Sequence, residues 1–187
     1  HLRGTLNPQP PEEYPETGLY HPRIPARIAD RLEALPKGPA GQPTVGLLVM
    51  RSYITSGDTA HYDGVIAAME ARGLRVIPAF ASGLDARSAI RRYFMKADRP
   101  AIDVLVSLTG FSLVGGPAFN DAEAAVGMLK ALDVPYVCAA ASEFQSLSDW
   151  GTNPKGLTPV ETTMMVALPE LDGATGSIVI GGRADHG

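Results

Sequence analysis

Five short apolar runs constrain this chain more than anything else in it: TVGLLVM (44–50), RVIPAFA (75–81), IDVLVSL (102–108), PYVCAA (135–140) and SIVIGG (177–182). A run that is apolar at every position cannot turn one face to water. TVGLLVM, the continuous one, therefore reads as a strand buried on both faces, which is the habit of parallel sheets covered by helices, and the other four read as further strands. Parallel neighbours need long crossovers, and the intervening segments have helical spacing. Tyr62, Val65, Ile66 and Met69 share one face, with Gly73 as C-cap. Ser82 and Asp85 read as a capping box ahead of Ala86, Ala89, Ile90, Tyr93 and Phe94. Asn120, with Glu123 three residues on, caps a helix turning Ala122, Val126 and Leu129 inward. Ser142 with Gln145 starts a short helix ending near Trp150 and Gly151. Thr158, Pro159 and Glu161 open a helix over 159–168, with Val160, Met164, Ala167 and Leu168 on one face and Pro169 as its stop. Pro78 removes a ladder donor and places the second run at a sheet edge. The expected fold is α/β: an open, doubly wound, mostly parallel sheet of about five strands, flavodoxin-like or Rossmann-like.

Residues 1–43 carry nine prolines, at 8, 10, 11, 15, 22, 25, 36, 39 and 43. Fixed φ and missing donors exclude a long helix or a central strand there. The stretch reads as an extended N-terminal arm, with one short helix around Ala26 to Leu35 and with Tyr20 and Ile24 packing it down. The α/β domain then occupies 44–187, and the start at His1 suggests a fragment of a larger chain. A net charge of -4 without any basic run argues against a nucleic-acid partner, and Arg91-Arg92 reads as a solvated helix face. The single cysteine, Cys138, excludes an internal disulfide and reads as a small buried residue. No apolar run reaches the ~18 residues of a transmembrane segment, so the expected setting is soluble and cytoplasmic.

Open α/β sheets hold ligands beyond the carboxyl ends of their strands. Those ends are Arg51 to His61, Ala81 to Leu84, Thr109 to Asn120 and Ala141 to Glu143. In LTGFSLVGGPAFND (108–121), Gly110 and Gly115 have phosphate-loop spacing, but Gly116 and Pro117 stand where Lys and Ser/Thr are needed. The alternative is a wide loop that carries Phe111 and Leu113 over the sheet edge. No metal site is expected: Asp58 and His61 share a helix side while Asp63 points elsewhere, and Asp58 reads as a cap. Glu143 and Glu161 fit helix starts without any catalytic role. The first and third loops supply the binding candidates: Arg51, Ser52, His61, Thr109, Gly110 and Phe111. No catalytic residue stands out.

Several long blocks, in order, carry a resemblance: RSYITSGDTAHYDGVIAAMEARGLRVIPAFASGLDARSAI, LTGFSLVGGPAFND, ALDVPYVCAAASEFQSLSDW and GLTPVETTMMVALPELDG followed by IVIGGR. Together they resemble the large-subunit family of magnesium chelatase and cobaltochelatase, over roughly residues 19–183 and closer to the magnesium branch. The resemblance implies a piece of a large polypeptide that binds protoporphyrin IX and inserts Mg²⁺, its substrate, on the way to chlorophyll or bacteriochlorophyll. ATP is then hydrolysed by two partner subunits, one of them an AAA+ motor, and the setting is plastidic in a plant or alga. No cofactor is expected on this piece, which alone would be inactive. Arg51 would meet a propionate carboxylate, against the alternative of pairing with an Asp. Ser52 would offer a hydroxyl, and His61 would meet a propionate, the ring or its metal. A cobaltochelatase segment and a stand-alone small-ligand module are the competing readings.

Overall fold

The structure, a computed structural model, describes residues 13–116 and 118–185. The expectations for Pro8, Pro10, Pro11 and Pro117 lie outside the described residues. In chain order the strands are β1 (Thr17–Tyr20), β2 (Ile28–Ala29), β3 (Thr44–Leu48), β4 (Arg75–Ala81), β5 (Met95–Lys96), β6 (Arg99–Pro100), β7 (Val104–Ser107), β8 (Gly115–Gly116), β9 (Phe119–Asn120), β10 (Tyr136–Ser146) and β11 (Ile178–Arg183). The helices are α1 (Arg51–Ser56), α2 (Ala60–Glu70), α3 (Arg87–Ala89, continuing as a π-turn over Ile90–Phe94), α4 (Ala122–Leu132), α5 (Leu147–Thr152), α6 (Pro159–Thr162) and α7 (Leu168–Leu171), the last two joined by a π-turn over Thr163–Ala167.

The fold is α/β with a mostly parallel sheet. Its order is β11-β10-β7-β3-β4-β1-β2, seven strands in place of the expected five or so. The five parallel strands are the five apolar runs. The additional two come from the proline-rich arm: β1 runs antiparallel to β4, and β2 antiparallel to β1. The gaps between prolines are long enough for short strands, and Gly18 lets β1 lie directly under the Phe80 ring, where a Cβ would stand 2.5 Å from Cζ. The helix expected around Ala26 to Leu35 does not form. Pairing of Ile28 and Ala29 with β1 takes the backbone, and only a 3-10 turn, Leu32–Ala34, is left before Pro36. The arm is clamped to α2: the Tyr20 hydroxyl donates to Asp63, Arg27 Nη2 lies 2.6 Å from the same carboxylate, and His21 Nε2 lies 3.2 Å from Glu70.

Pro78 does not mark an edge, because β4 lies between β3 and β1. The Ala79 carbonyl accepts from Val49 N–H on the β3 side, so the preceding Pro78 nitrogen faces β1. The β1 register stops at Ala79, and no donor is needed there. Apolar layers cover both faces. Val45, Leu47, Val76, Phe80 and Val106 pack with Tyr62 and Ile66 of α2 on one side. Leu48, Ile77 and Leu105 pack with Ile90, Phe94, Met128 and Leu132 on the other. Gly46 is needed for that second layer, since a Cβ would meet Ile102 Cδ1 at 2.7 Å and the Phe94 ring at 3.1 Å.

Several helix starts differ from expectation. Residues 51–56 are already helical, and Thr59, not Asp58, precedes α2. Gly73 closes α2 as expected, at φ +79° in a Schellman turn, with its N–H on Glu70 O and Leu74 N–H on Met69 O. The Ser82/Asp85 box is absent: the Ser82 hydroxyl donates to Glu16, and Asp85 binds the Arg87 guanidinium and N–H. Asp121, not Asn120, caps α4, and the buried face is Ala125, Met128 and Leu132. β10 runs on through Ser142 to Ser146, and Ser146 caps α5. The 158–161 capping box forms, but Pro169 does not stop the helix. The π-turn just before it widens the ladder where its missing N–H falls. The inward residues are then Glu161, Met165 and Pro169, one step on from the expected face.

Candidate ligand-binding site

The chain runs from β3 to β4 on one side, then returns to add β7 on the other side of β3. This reversal is the switch point at which open α/β sheets form a crevice. Beyond β3 the Met50 N–H donates to the buried Tyr62 hydroxyl at 3.1 Å, and α1 begins at Arg51. The ends of β3, β4 and β7 thus enclose a pocket of about 210 Å³. Leu48, Val49, Leu84, Ala86, Phe111 and Leu113 supply apolar walls, and Arg51, Ser52, Ser82, Thr109 and Ser112 supply polar groups. The volume is below the ~300–1,000 Å³ of sites that engulf a drug-sized molecule. It leaves room for part of such a molecule rather than the whole of one.

Four candidates from the sequence therefore meet here: Arg51, Ser52, Thr109 and Phe111. Arg51 has no carboxylate partner among the described ion pairs, and Nη1 only donates to the Pro15 carbonyl at 3.3 Å. Thr109 Oγ1 lies 2.9 Å from Ser107 Oγ. Gly110 belongs to the same loop but not to the wall; it sits at φ +77°, where an added Cβ would stand 3.4 Å from Ala140 Cβ. His61 is not in this pocket. It opens on a second cleft, across α1, with Tyr53, Asp58, Glu143 and Arg183. The His61 ring stands edge-on to Tyr53 at 5.0 Å, and burial holds its pKa below the ordinary value against the pull of Asp58 and Asp63. The Tyr53 hydroxyl donates to Glu143, whose pKa burial raises. Among the described residues no three His, Cys, Asp or Glu side chains stand close enough to hold a metal ion.

Three N–H groups of the glycine loop are already used within the fold. Leu113 N–H donates to Asp172 at 2.6 Å, Val114 N–H to Ser112 Oγ at 3.2 Å and Gly115 N–H to Leu84 O at 2.7 Å. Gly115 is required for shape: at φ +108° a Cβ would also stand 2.3 Å from Phe119 O. The loop folds Phe111 and Leu113 over the sheet end, both buried. The β8–β9 hairpin leaves Phe119 73% exposed, and Leu84, 47% exposed, lies against Gly116 of the same hairpin.

Two buried carboxylates brace this end of the sheet. Glu161, inaccessible to solvent, does more than cap α6. Its oxygens accept from the Thr158 N–H and hydroxyl, the Ser142 hydroxyl, and the Gln145 N–H and side-chain amide. Burial pushes its pKa up, but these bonds outweigh burial and hold it low. Asp172 accepts from Ser112 Oγ at 3.0 Å and from Leu113 N; there burial prevails and raises the pKa. Asp172 was missed in the sequence, where nothing marks an Asp after a helix as buried. Cys138 is 1% exposed, and burial, with Asp172 nearby, pushes its thiol up to about 12.

Comparison with known proteins agrees with this architecture. A family model described as CobN/Magnesium Chelatase matches residues 1–187. The chain is 56% identical over 180 residues to the magnesium-chelatase large (H) protein of Cereibacter sphaeroides, covering 96% of this chain and 15% of that protein. It is 30% identical to the aerobic cobaltochelatase subunit CobN of a Sinorhizobium species, covering 92% of this chain and 14% of that one. The solved catalytic subunit of cobaltochelatase from Mycobacterium tuberculosis superposes with a TM-score of 0.61 at 25% identity, covering 89% of this chain and 13% of that one. The chain thus spans about one seventh of the length of the relatives it matches. On the full-length match to the family model, and on relatives that share most of its sequence, this chain belongs to the CobN/magnesium chelatase family.

Proposed function

We propose that this chain is one α/β unit of a magnesium-chelatase large subunit, and that its switch-point pocket holds one edge of protoporphyrin IX. The observation that carries the reading is the joining of the Arg51 guanidinium, which has no carboxylate partner among the described ion pairs, to an apolar wall at the fold's ligand crevice, in a chain 56% identical to a magnesium-chelatase large subunit. The 30% identity to a cobaltochelatase subunit favours the magnesium branch. In this reading Mg²⁺ is a substrate, and ATP is hydrolysed by partner subunits, one an AAA+ ATPase. The setting is the cytoplasm, or the plastid in a plant or alga. No helix among the described residues is long and apolar enough to cross a membrane.

A porphyrin presents a flat apolar face and two propionates. Phe111, Leu84 and the neighbouring Phe119 offer the complementary surface. Arg51 takes a propionate in a charge-assisted bond, with the Ser52 and Thr109 hydroxyls beside it. Insertion of a divalent metal releases the two pyrrole protons, and among the described residues the pocket wall has no carboxylate or imidazole to accept them. Its task is to bind and orient. Metal delivery and proton removal fall to groups outside it, so the 187-residue chain alone neither inserts Mg²⁺ nor hydrolyses ATP. Arg51→Ala and Phe111→Ala in the full-length protein should each weaken porphyrin binding in a fluorescence-quenching titration; the melting curve should change little in Arg51→Ala and should fall in Phe111→Ala, whose ring is buried. Unchanged affinity in both variants would remove the pocket from the porphyrin site.

A further inference from the structure

Ser112 and Leu113 line the pocket, and both are tied to a residue about sixty positions away in sequence. Asp172 is 2% exposed and stands at the end of α7. Its position is set by a rigid turn: Gly173, at φ +98°, donates to Glu170 O, and Ala174 N–H donates to Pro169 O, the paired bonds of a Schellman motif. The turn aims the carboxylate at the loop, where one oxygen takes Ser112 Oγ at 3.0 Å and the other takes Leu113 N–H at 2.6 Å. Ser112 Oγ in turn accepts from Val114 N–H, so three consecutive loop residues depend on this one side chain. On the other side of Leu113, its carbonyl accepts from Ala86 N–H, which joins the β4 wall of the pocket.

We infer that Asp172 is a positioning residue for ligand binding: it fixes the Phe111–Leu113 wall and couples the helical segment Pro159–Leu171 to the pocket. This rests on the proposed porphyrin reading. The carboxylate touches no ligand. It holds the backbone from which Phe111 projects, and the helical segment is itself anchored to β10 through Glu161. A displacement at either end of that segment is therefore felt at the pocket wall. An amide serves nearly as well as the carboxylate. It leaves one oxygen for Leu113 N–H and turns its NH₂ to Ser112 Oγ, which can accept.

The test uses the full-length protein, with deuteroporphyrin IX as the probe in a quenching titration that reads both Kd and stoichiometry. Asp172→Ala should raise Kd about tenfold at unchanged stoichiometry. Asp172→Asn should restore a near-parental Kd, and Phe111→Ala serves as the control for the pocket itself. Raised Kd in Phe111→Ala with a parental Kd in Asp172→Ala would overturn the positioning role and leave the porphyrin reading standing. Parental Kd in both would overturn both. Fewer sites at unchanged Kd in Asp172→Ala would mean a merely structural role, and an Asn variant as weak as the Ala variant would also overturn the inference. Should Asp172→Ala fail to fold, Ser112→Ala breaks one of the two tethers and should still raise Kd; an unchanged value there refutes the positioning role.

Discussion

Replacing Glu161 by Gln tests the reasoning about this end of the sheet most sharply, because sequence and structure disagree about it. As a capping-box residue alone, Glu161 tolerates Gln, which also serves at that position. In the structure its two oxygens receive five donors, from Ser142, Gln145 and Thr158. Two are backbone N–H groups that cannot reverse, of Thr158 at 2.8 Å and of Gln145 at 3.3 Å, and the Gln145 amide, at 2.7 Å, is held in orientation by also donating to Gly156 O. The least costly placement of the new NH₂ is at the oxygen shared by Ser142 and Gln145 N–H. The serine hydroxyl can turn to accept, but the Gln145 N–H is left without a partner, and the remaining bonds lose their charge. A buried donor left unmade costs about 1–3 kcal/mol, and bonds to charged groups are worth about 1.5–3 kcal/mol. Solvent does not reach Glu161, and the one donor left unmade sets the size of the loss. The expected loss is about 2 kcal/mol, roughly 4–8 °C for a chain of this length, against about 1 kcal/mol for Thr158→Ala. Urea unfolding of the 187-residue chain, followed by its single tryptophan, Trp150, reads the difference. The pH dependence has a definite sign. Glu161 is held low in the folded state, so its contribution is present above the unfolded carboxyl pKa of about 4.3 and is lost as pH falls through the folded value. The gap between parent and Glu161→Gln should narrow below that pH. A variant within about 0.5 kcal/mol of the parent at pH 7, or a gap that widens in acid, would refute the five-donor account.

Asp172 has the opposite sign: its raised pKa means its contribution is present below the unfolded value of about 3.9 and is lost as pH rises through the folded one, so Asp172→Asn should gain on the parent as pH rises in the same urea assay. Gly46→Ala should cost about 1–3 kcal/mol, because the new methyl meets Ile102 and Phe94 in a filled layer, and a parental midpoint would show that the layer yields. Cys138, with its thiol pushed up to about 12, should resist iodoacetamide at pH 8 until denaturant is added, and rapid native alkylation, read by mass spectrometry, would contradict its burial.

The parallel core was legible because each of its strands carries a largely apolar run of strand length, a pattern that permits few alternatives. β1 and β2 were not, because TGLY and IA lie among prolines, and the pair they form joins the sheet only through β4, far along the chain. Pro78 misled for a related reason: proline forbids a donor on one side of a strand, and a neighbour that stops at Ala79 satisfies that as well as an open edge does. Capping signals succeeded where both partners were local, as in Thr158 with Glu161. They failed at Ser82 and Asn120, where a distant carboxylate or the adjacent Asp121 took the role. In the pocket, strand-end logic brought Arg51, Ser52, Thr109 and Phe111 together. It could not foresee that α1 would wall off His61, since helix formation at Arg51 places the next face in another cleft. Asp172 was out of reach because its meaning lies wholly in the loop it touches.

The central claim is that the switch-point pocket meets the porphyrin. Hydrogen–deuterium exchange of the full-length protein, with and without saturating deuteroporphyrin IX, tests it most directly. The account predicts slower exchange on binding in peptides covering Val49–Ser52, Ala81–Ala86 and Thr109–Leu113, with no change in the arm clamped to α2. Protection confined to other parts of the polypeptide, with these three segments unchanged at saturation, would contradict it.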